Sequence, residues 1–256
     1  MELANWNKIK AKRFELNVEG YTETDGEEPY FLTPYFGVLP ENVDNKAKSK
    51  LKKNSLHQAY YVEQPAFSTV PAHFHDTNQF QVFLDGKAVF GKKPINSVTV
   101  HYAGGHTPYG PIITENSAIK YLTLRNKWDS GGKKMPEERK NLVDVSRVFY
   151  LSDKLNVDNK IKKNVTETEI DTILWEETSM LGIAIFYIPH SKECNFAFPK
   201  MGYGKYCLVL SGSLLHNSNK IKPLSCLYLE KDELVDLKSG DDGAVVLSMQ
   251  FPIEPI

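Results

Sequence analysis

Residues 71–86 read Pro71-Ala72-His73-Phe74-His75-Asp76-Thr77-Asn78-Gln79-Phe80-Gln81-Val82-Phe83-Leu84-Asp85-Gly86. His73 and His75 are two positions apart, so on a strand their imidazoles leave from one face. Asp76-Thr77-Asn78 is turn-forming and brings Gln79 back towards the same site. The apolar run after it ends at Gly86, as a strand ends at a tight turn. Two imidazoles and a carboxamide converging in this way are candidate ligands for a borderline divalent metal.

Working outward, short runs rich in Val, Ile, Leu, Phe and Tyr recur between turn residues. They include Gln79–Leu84, Ser97–Tyr102, Ala118–Leu124, Ile183–Ile188, Tyr206–Leu210 and Gly243–Met249. The pattern predicts an all-β sandwich or barrel. Pro136–Leu142 is the one segment read as a short helix, with Pro in its first turn. Lys46–Lys53 is a basic run, read as a solvated loop or helix face, with guidance of an anionic substrate as its functional alternative.

The chain also repeats itself. Val82-Phe83-Leu84-Asp85-Gly86 is similar to Leu208-Val209-Leu210-Ser211-Gly212, and Ala118-Ile119 to Ala244-Val245, both at an offset of 126. Two copies of one β-rich domain account for the length of 256 residues. The expected division is residues 1–130, a polar connection over 131–165, and residues 166–256.

Composition narrows the partners. With 31 Lys+Arg against 32 Asp+Glu the net charge is -1, which argues against nucleic acid, whose phosphates need clustered cations. No apolar stretch is long enough to span a bilayer, and the first residues lack a signal-peptide core. Cys194, Cys207 and Cys226 form neither a disulfide framework nor a Cys-x-x-Cys zinc site. The expectation is a cytoplasmic protein.

The spacing His73-x-His75, three residues, Gln79, six residues, Gly86 resembles the first motif of the cupin superfamily, with Gln where the family usually has Glu. Val98–Pro108 resembles the second motif, but the family Pro is absent and His106 stands one position early. The resemblance implies a bicupin, two double-stranded β-helix (jelly-roll) barrels. It implies a divalent metal (Fe, Mn, Ni or Zn) held by His73, His75, Gln79 and His106, with His101 as competitor for the fourth place. A small organic molecule, of anionic character, would be the substrate, and a homodimer is the family-level expectation. Tyr109 is the nearest candidate for proton donation or substrate orientation. Counting back from Gly212 puts Pro199, Met201 and Lys205 at the ligand places of the second copy, which should therefore be metal-free.

A ligand set without a carboxylate leaves the metal its full charge. It favours an anionic substrate or bound hydroxide, and it supplies no resident base. The leading expectation is a non-haem metal oxidoreductase of dioxygenase type. The alternatives are a non-catalytic small-ligand-binding cupin and a metal-dependent isomerase or lyase.

Overall fold

A computed structural model describes residues 1–17, 23–24, 28–40, 56–157, 166–217, 219–233, 235 and 237–253. The Lys46–Lys53 run lies outside these residues. The fold is all-β, as expected, and divides into two compact units. One is Lys12–Asn156; the other joins Met1–Ala11 to Val157–Ile256.

In the first unit the main strands are β1 (Tyr30–Phe36), β2 (Gln58–Gln64), β3 (Gln79–Phe90), β4 (Thr99–Ala103), β5 (Ile119–Arg125) and β6 (Phe149–Leu151). Antiparallel neighbours run β1–β2–β5–β3, with β4 pairing β3 on one side and β6 on the other. In the second unit they are β7 (Glu169–Glu176), β8 (Leu181–Ile188), β9 (Gly204–His216), β10 (Cys226–Glu230) and β11 (Leu237–Phe251). Their order is β7–β8–β11–β9–β10, and Glu2–Ala4 adds an edge strand to β10.

These pairings move the boundaries away from the expected division. Phe149–Leu151 belongs to the first unit because it pairs with β4, and Lys133–Lys134 because it pairs with His73–Phe74. The N-terminal residues belong to the second unit through β10. The helix expected at Pro136–Leu142 reduces to a single 3-10 turn, Arg139–Asn141. No helix among the described residues is long and apolar enough to cross a membrane.

The internal repeat is visible in the ladders, with a small change of register. Gly86 of β3 faces Ile119, and Gly212 of β9 faces Ala244. Both glycines have positive φ, 88° and 69°. A Cβ on Gly86 would lie 1.9 Å from Ala118 O, and one on Gly212 would lie 2.1 Å from Gly243 O. Ala118 therefore corresponds to Gly243 rather than to Ala244, so the partner strand repeats one residue sooner than the sequence comparison suggested. Only glycine tolerates both the conformation and the contact. Gly86→Ala is expected to cost about 2–4 kcal/mol, because the obstructing atom is backbone. Urea unfolding checks this, and a loss below about 1 kcal/mol would contradict it.

Inward positions of the second unit are mostly apolar, with Lys205, Ser248 and Gln250 as buried polar exceptions. Phe186, Cys207, Val209, Leu227, Leu229 and Val246 share one buried cluster, with Phe196 fully buried among them. Cys207 and Cys226 are buried and Cys194 partly so; all three are free thiols, as expected. Burial pushes the Cys207 thiol up to about 11 and that of Cys194 up to about 12. Of the positions set against the ligand places, Lys205 is buried with Nζ donating to Phe196 O at 2.9 Å, while Met201 is exposed.

Candidate functional site

Strand register builds the site in rows. Gln58 of β2, Arg125 of β5 and Gln79 of β3 stand directly opposite one another. Two residues along each strand come Tyr60, Thr123 and Gln81, and two further Val62, Tyr121 and Phe83. Side chains two apart share a face, so the rows grade from charged and amide through hydroxyl-bearing to apolar. A cavity of about 350 Å³ opens on this face, and its lining reaches from Leu32, Val62 and Val70 to His73, His75 and Arg125.

Arg125 is 1% exposed and holds the polar end together. Its Nε donates to Gln79 Oε1 at 2.8 Å and its Nη1 to Gln58 Oε1 at 2.6 Å. Its Nη2 lies 3.1 Å from His75 Nε2. A guanidinium only donates, so His75 Nε2 is the acceptor and Nδ1 carries the proton. Nδ1 in turn donates to Asp129 Oδ1 at 2.7 Å. The Asp129 carboxylate also accepts the backbone N–H groups of Asp76 and Gly131, at 3.0 and 2.8 Å. Burial opposes its charge, but His75 and Arg125 outweigh burial and hold it well below the usual carboxylate range. Burial first, and then the Arg125 charge, pull His75 down.

His73 is tied in on the other side. Backbone bonds link its N–H to Tyr109 O and the Tyr109 N–H to His73 O, at 3.0 and 2.9 Å. Its Nδ1 lies 2.7 Å from Pro71 O, so Nδ1 donates and Nε2 accepts from the Tyr109 hydroxyl at 3.0 Å. The same hydroxyl accepts from Gln79 Nε2 at 2.5 Å. Burial, then His75, push His73 down to about 3. One chain of hydrogen bonds thus runs from Asp129 through His75, Arg125, Gln79 and Tyr109 to His73. It carries one fixed cation and one fixed anion.

His73, His75, Gln79 and Tyr109 are therefore brought together, and His106 is not. Its residue sits at φ 58° after Gly104-Gly105, with its backbone N–H bonded to His75 O at 2.7 Å. This turn lays the ring beside Phe74, at 5.7 Å between centroids, and points Nδ1 at the Val143 N–H, 3.4 Å away. The fourth-ligand expectation fails there, because the left-handed turn directs the ring away from the cavity lining. His101 is fully buried behind Gln81, with Nδ1 2.9 Å from Gln81 Oε1. Its Nε2 has no hydrogen-bond partner among the described residues.

Do the remaining donors fit a metal? The two histidines do. Their ring centroids are 5.2 Å apart at 90°. Two imidazoles on a tetrahedral ion, each about 2.1 Å away, would be separated by roughly 5 Å. Both Nδ1 atoms are anchored, which aims both Nε2 atoms inward. Arg125 does not fit. An ion about 2.1 Å from His75 Nε2 would lie within about 5 Å of the guanidinium, and the repulsion would be on the order of 7 kcal/mol. The Gln79 oxygen and the His75 lone pair are already bonded to that cation. Among the described residues no group of three or more His, Cys, Asp or Glu could hold a metal. The donor set, taken with its guanidinium, does not fit a divalent metal.

Solved structures share this fold over nearly the whole chain. A candidate dioxygenase from Nostoc punctiforme matches with TM-score 0.59 and 10% identity, covering 100% of this chain and 84% of its own. The bacterial pirin YhhW from Escherichia coli, in complex with nickel(II), matches with TM-score 0.57 and 12% identity over 99% of each chain. An 11S allergen from Cocos nucifera matches with TM-score 0.52 and 8% identity over 93% of this chain and 89% of its own. No family model and no curated protein sequence matches the chain. At these identities the likeness is one of fold, and that fold is the cupin fold.

Proposed function

We propose that the first unit of this cupin-fold chain binds a small organic anion in its cavity, with Arg125 recognising the charge. The carrying observation is a permanently charged guanidinium at the polar end of a cavity whose other walls are apolar and aromatic. A volume of about 350 Å³ is at the small end of ligand sites, which suits a single planar ring bearing an acid group. Tyr30, Tyr60 and Tyr121 line the cavity with aromatic surface for such a molecule, and Tyr109 lines it too.

Binding is favoured over turnover by the same residues. A metal-centred oxidoreductase needs donors that Arg125 already engages. An acid–base reaction needs a base that holds a proton near neutrality. His73, pushed down to about 3 by burial, stays neutral at neutral pH and is a weak proton acceptor.

Benzoate, with benzamide as its neutral counterpart, tests this by calorimetric titration. Benzoate is expected to bind at least tenfold more tightly, since charge-assisted bonds to a buried guanidinium are worth about 1.5–3 kcal/mol. Arg125→Lys should lose most of that preference, because the ammonium lacks the planar fork. Equal affinity for the two probes, or benzoate binding untouched by the substitution, would refute the reading.

A further inference from the structure

We propose that Arg125 is a built-in replacement for a metal ion: its guanidinium occupies the coordination space between His75 and Gln79 and closes an otherwise competent metal site. The inference does not depend on which organic molecule the cavity takes.

Three observations carry it. First, the histidine pair has the geometry of metal ligands, with centroids 5.2 Å apart and outer nitrogens anchored to Pro71 O and Asp129. Anchoring of this kind fixes the tautomer and aims the lone pair, which a packing histidine does not require. Second, two of the three atoms that would face an ion instead face one protein cation, His75 Nε2 at 3.1 Å and Gln79 Oε1 at 2.8 Å, while the third, His73 Nε2, accepts from the Tyr109 hydroxyl. Lone pairs that bind a metal are satisfied equally by N–H donors of positive charge.

Third, the second unit repeats the arrangement with its parts exchanged. The register that sets Gln79 opposite Arg125 in the first unit sets Lys205 opposite Gln250 in the second. Both of the latter are buried, and Lys205 Nζ donates to Phe196 O at 2.9 Å. In each barrel this level sets a carboxamide opposite a basic side chain, although in the second unit the two bond to backbone carbonyls, Gln250 Nε2 donating to Met180 O and Lys200 O, and not to each other. A protein cation at this level is thus common to both copies and not a peculiarity of one position.

The test uses the full, tag-free chain, stripped of metal and titrated with Zn²⁺ and with Ni²⁺ by calorimetry and metal analysis. Wild type is expected to take up no equivalent that depends on His75. Arg125→Ala should gain one equivalent, bound roughly tenfold or more tighter than any wild-type uptake, and should lose it when His75→Ala is added. Arg125→Lys keeps the cation and should stay metal-free. Arg125→Gln is a second neutral variant that can still bond to its neighbours, should the alanine variant not fold. A His75-dependent equivalent in wild type overturns the proposal. So does a folded neutral variant that takes up no metal, or an Arg125→Lys variant that binds metal as Arg125→Ala does. Failure of benzoate binding alone would count against the ligand reading and leave this result untouched.

Discussion

Acid should unfold this protein by about pH 4.5, because buried imidazoles refuse protons that the unfolded chain accepts. His73 and His101 are buried, 4% and 0% exposed, and each is pushed down to about 3. Burial is the larger cause for both; the next is His75 for His73 and His73 for His101. Unfolding releases them to an ordinary value of about 6.5. Below about pH 6.5 the unfolded chain therefore binds two protons that the folded chain refuses. Stability is complete above that value and falls as pH drops from about 6.5 towards 3, by roughly 2.7 kcal/mol per pH unit at full slope. By pH ~4.5 the loss approaches 5 kcal/mol, comparable with the whole stability of a typical domain. His75, lowered in the same direction, adds to it. Denaturant unfolding over this range measures the slope. His101→Asn keeps a donor for Gln81 and removes one of these titrations, so it should cut the slope by roughly a third to a half. An unchanged slope in that variant, or a flat wild-type profile, would show that these rings are not held neutral by the fold.

Asp129→Ala should be the most damaging single substitution in the first unit. The carboxylate accepts His75 Nδ1–H and the backbone N–H groups of Asp76 and Gly131. Removing it strands three donors and takes away the one anion in the chain of bonds that contains Arg125. Breaking a buried ionic network by deleting one partner costs about 3–5 kcal/mol. Asp129→Asn keeps the shape and one acceptor and should cost less, roughly 2 kcal/mol. Equilibrium unfolding of the two variants checks the order. Adding His75→Ala to Asp129→Ala should cost far less than the sum of the two alone, because the stranded imidazole is gone. Additive losses, or a change below about 1 kcal/mol for the alanine variant, would mean that the network is not a unit.

Much of this site is legible in the sequence. The two-residue spacing of His73 and His75 and the turn before Gln79 are enough to converge three side chains, and the strand runs are enough for the fold. His106 escapes such a reading because a motif gives spacing and not backbone conformation; a left-handed residue after two glycines turns its ring elsewhere. Arg125 and Asp129 escape it for a different reason. The apolar run ends at Leu124, and residues 125–165 are polar enough to pass for a connection. Yet Tyr121, Thr123 and Arg125 share parity, and a cation in register with inward residues is the signal available there. Gln58 is recognisable only through its pairing across β5, which no local pattern encodes.

All three thiols of the chain lie in one of its two units. Cys207 and Cys226 are sealed within that unit, so alkylating reagents reach them only when it opens. Labelling of Cys207 and Cys226 at neutral pH, followed by mass spectrometry, consequently reports the opening of the cysteine-bearing barrel by itself. The other barrel, with Arg125, has no thiol and is silent to the same reagent, which lets the two halves of a duplicated protein be followed separately without introducing any label.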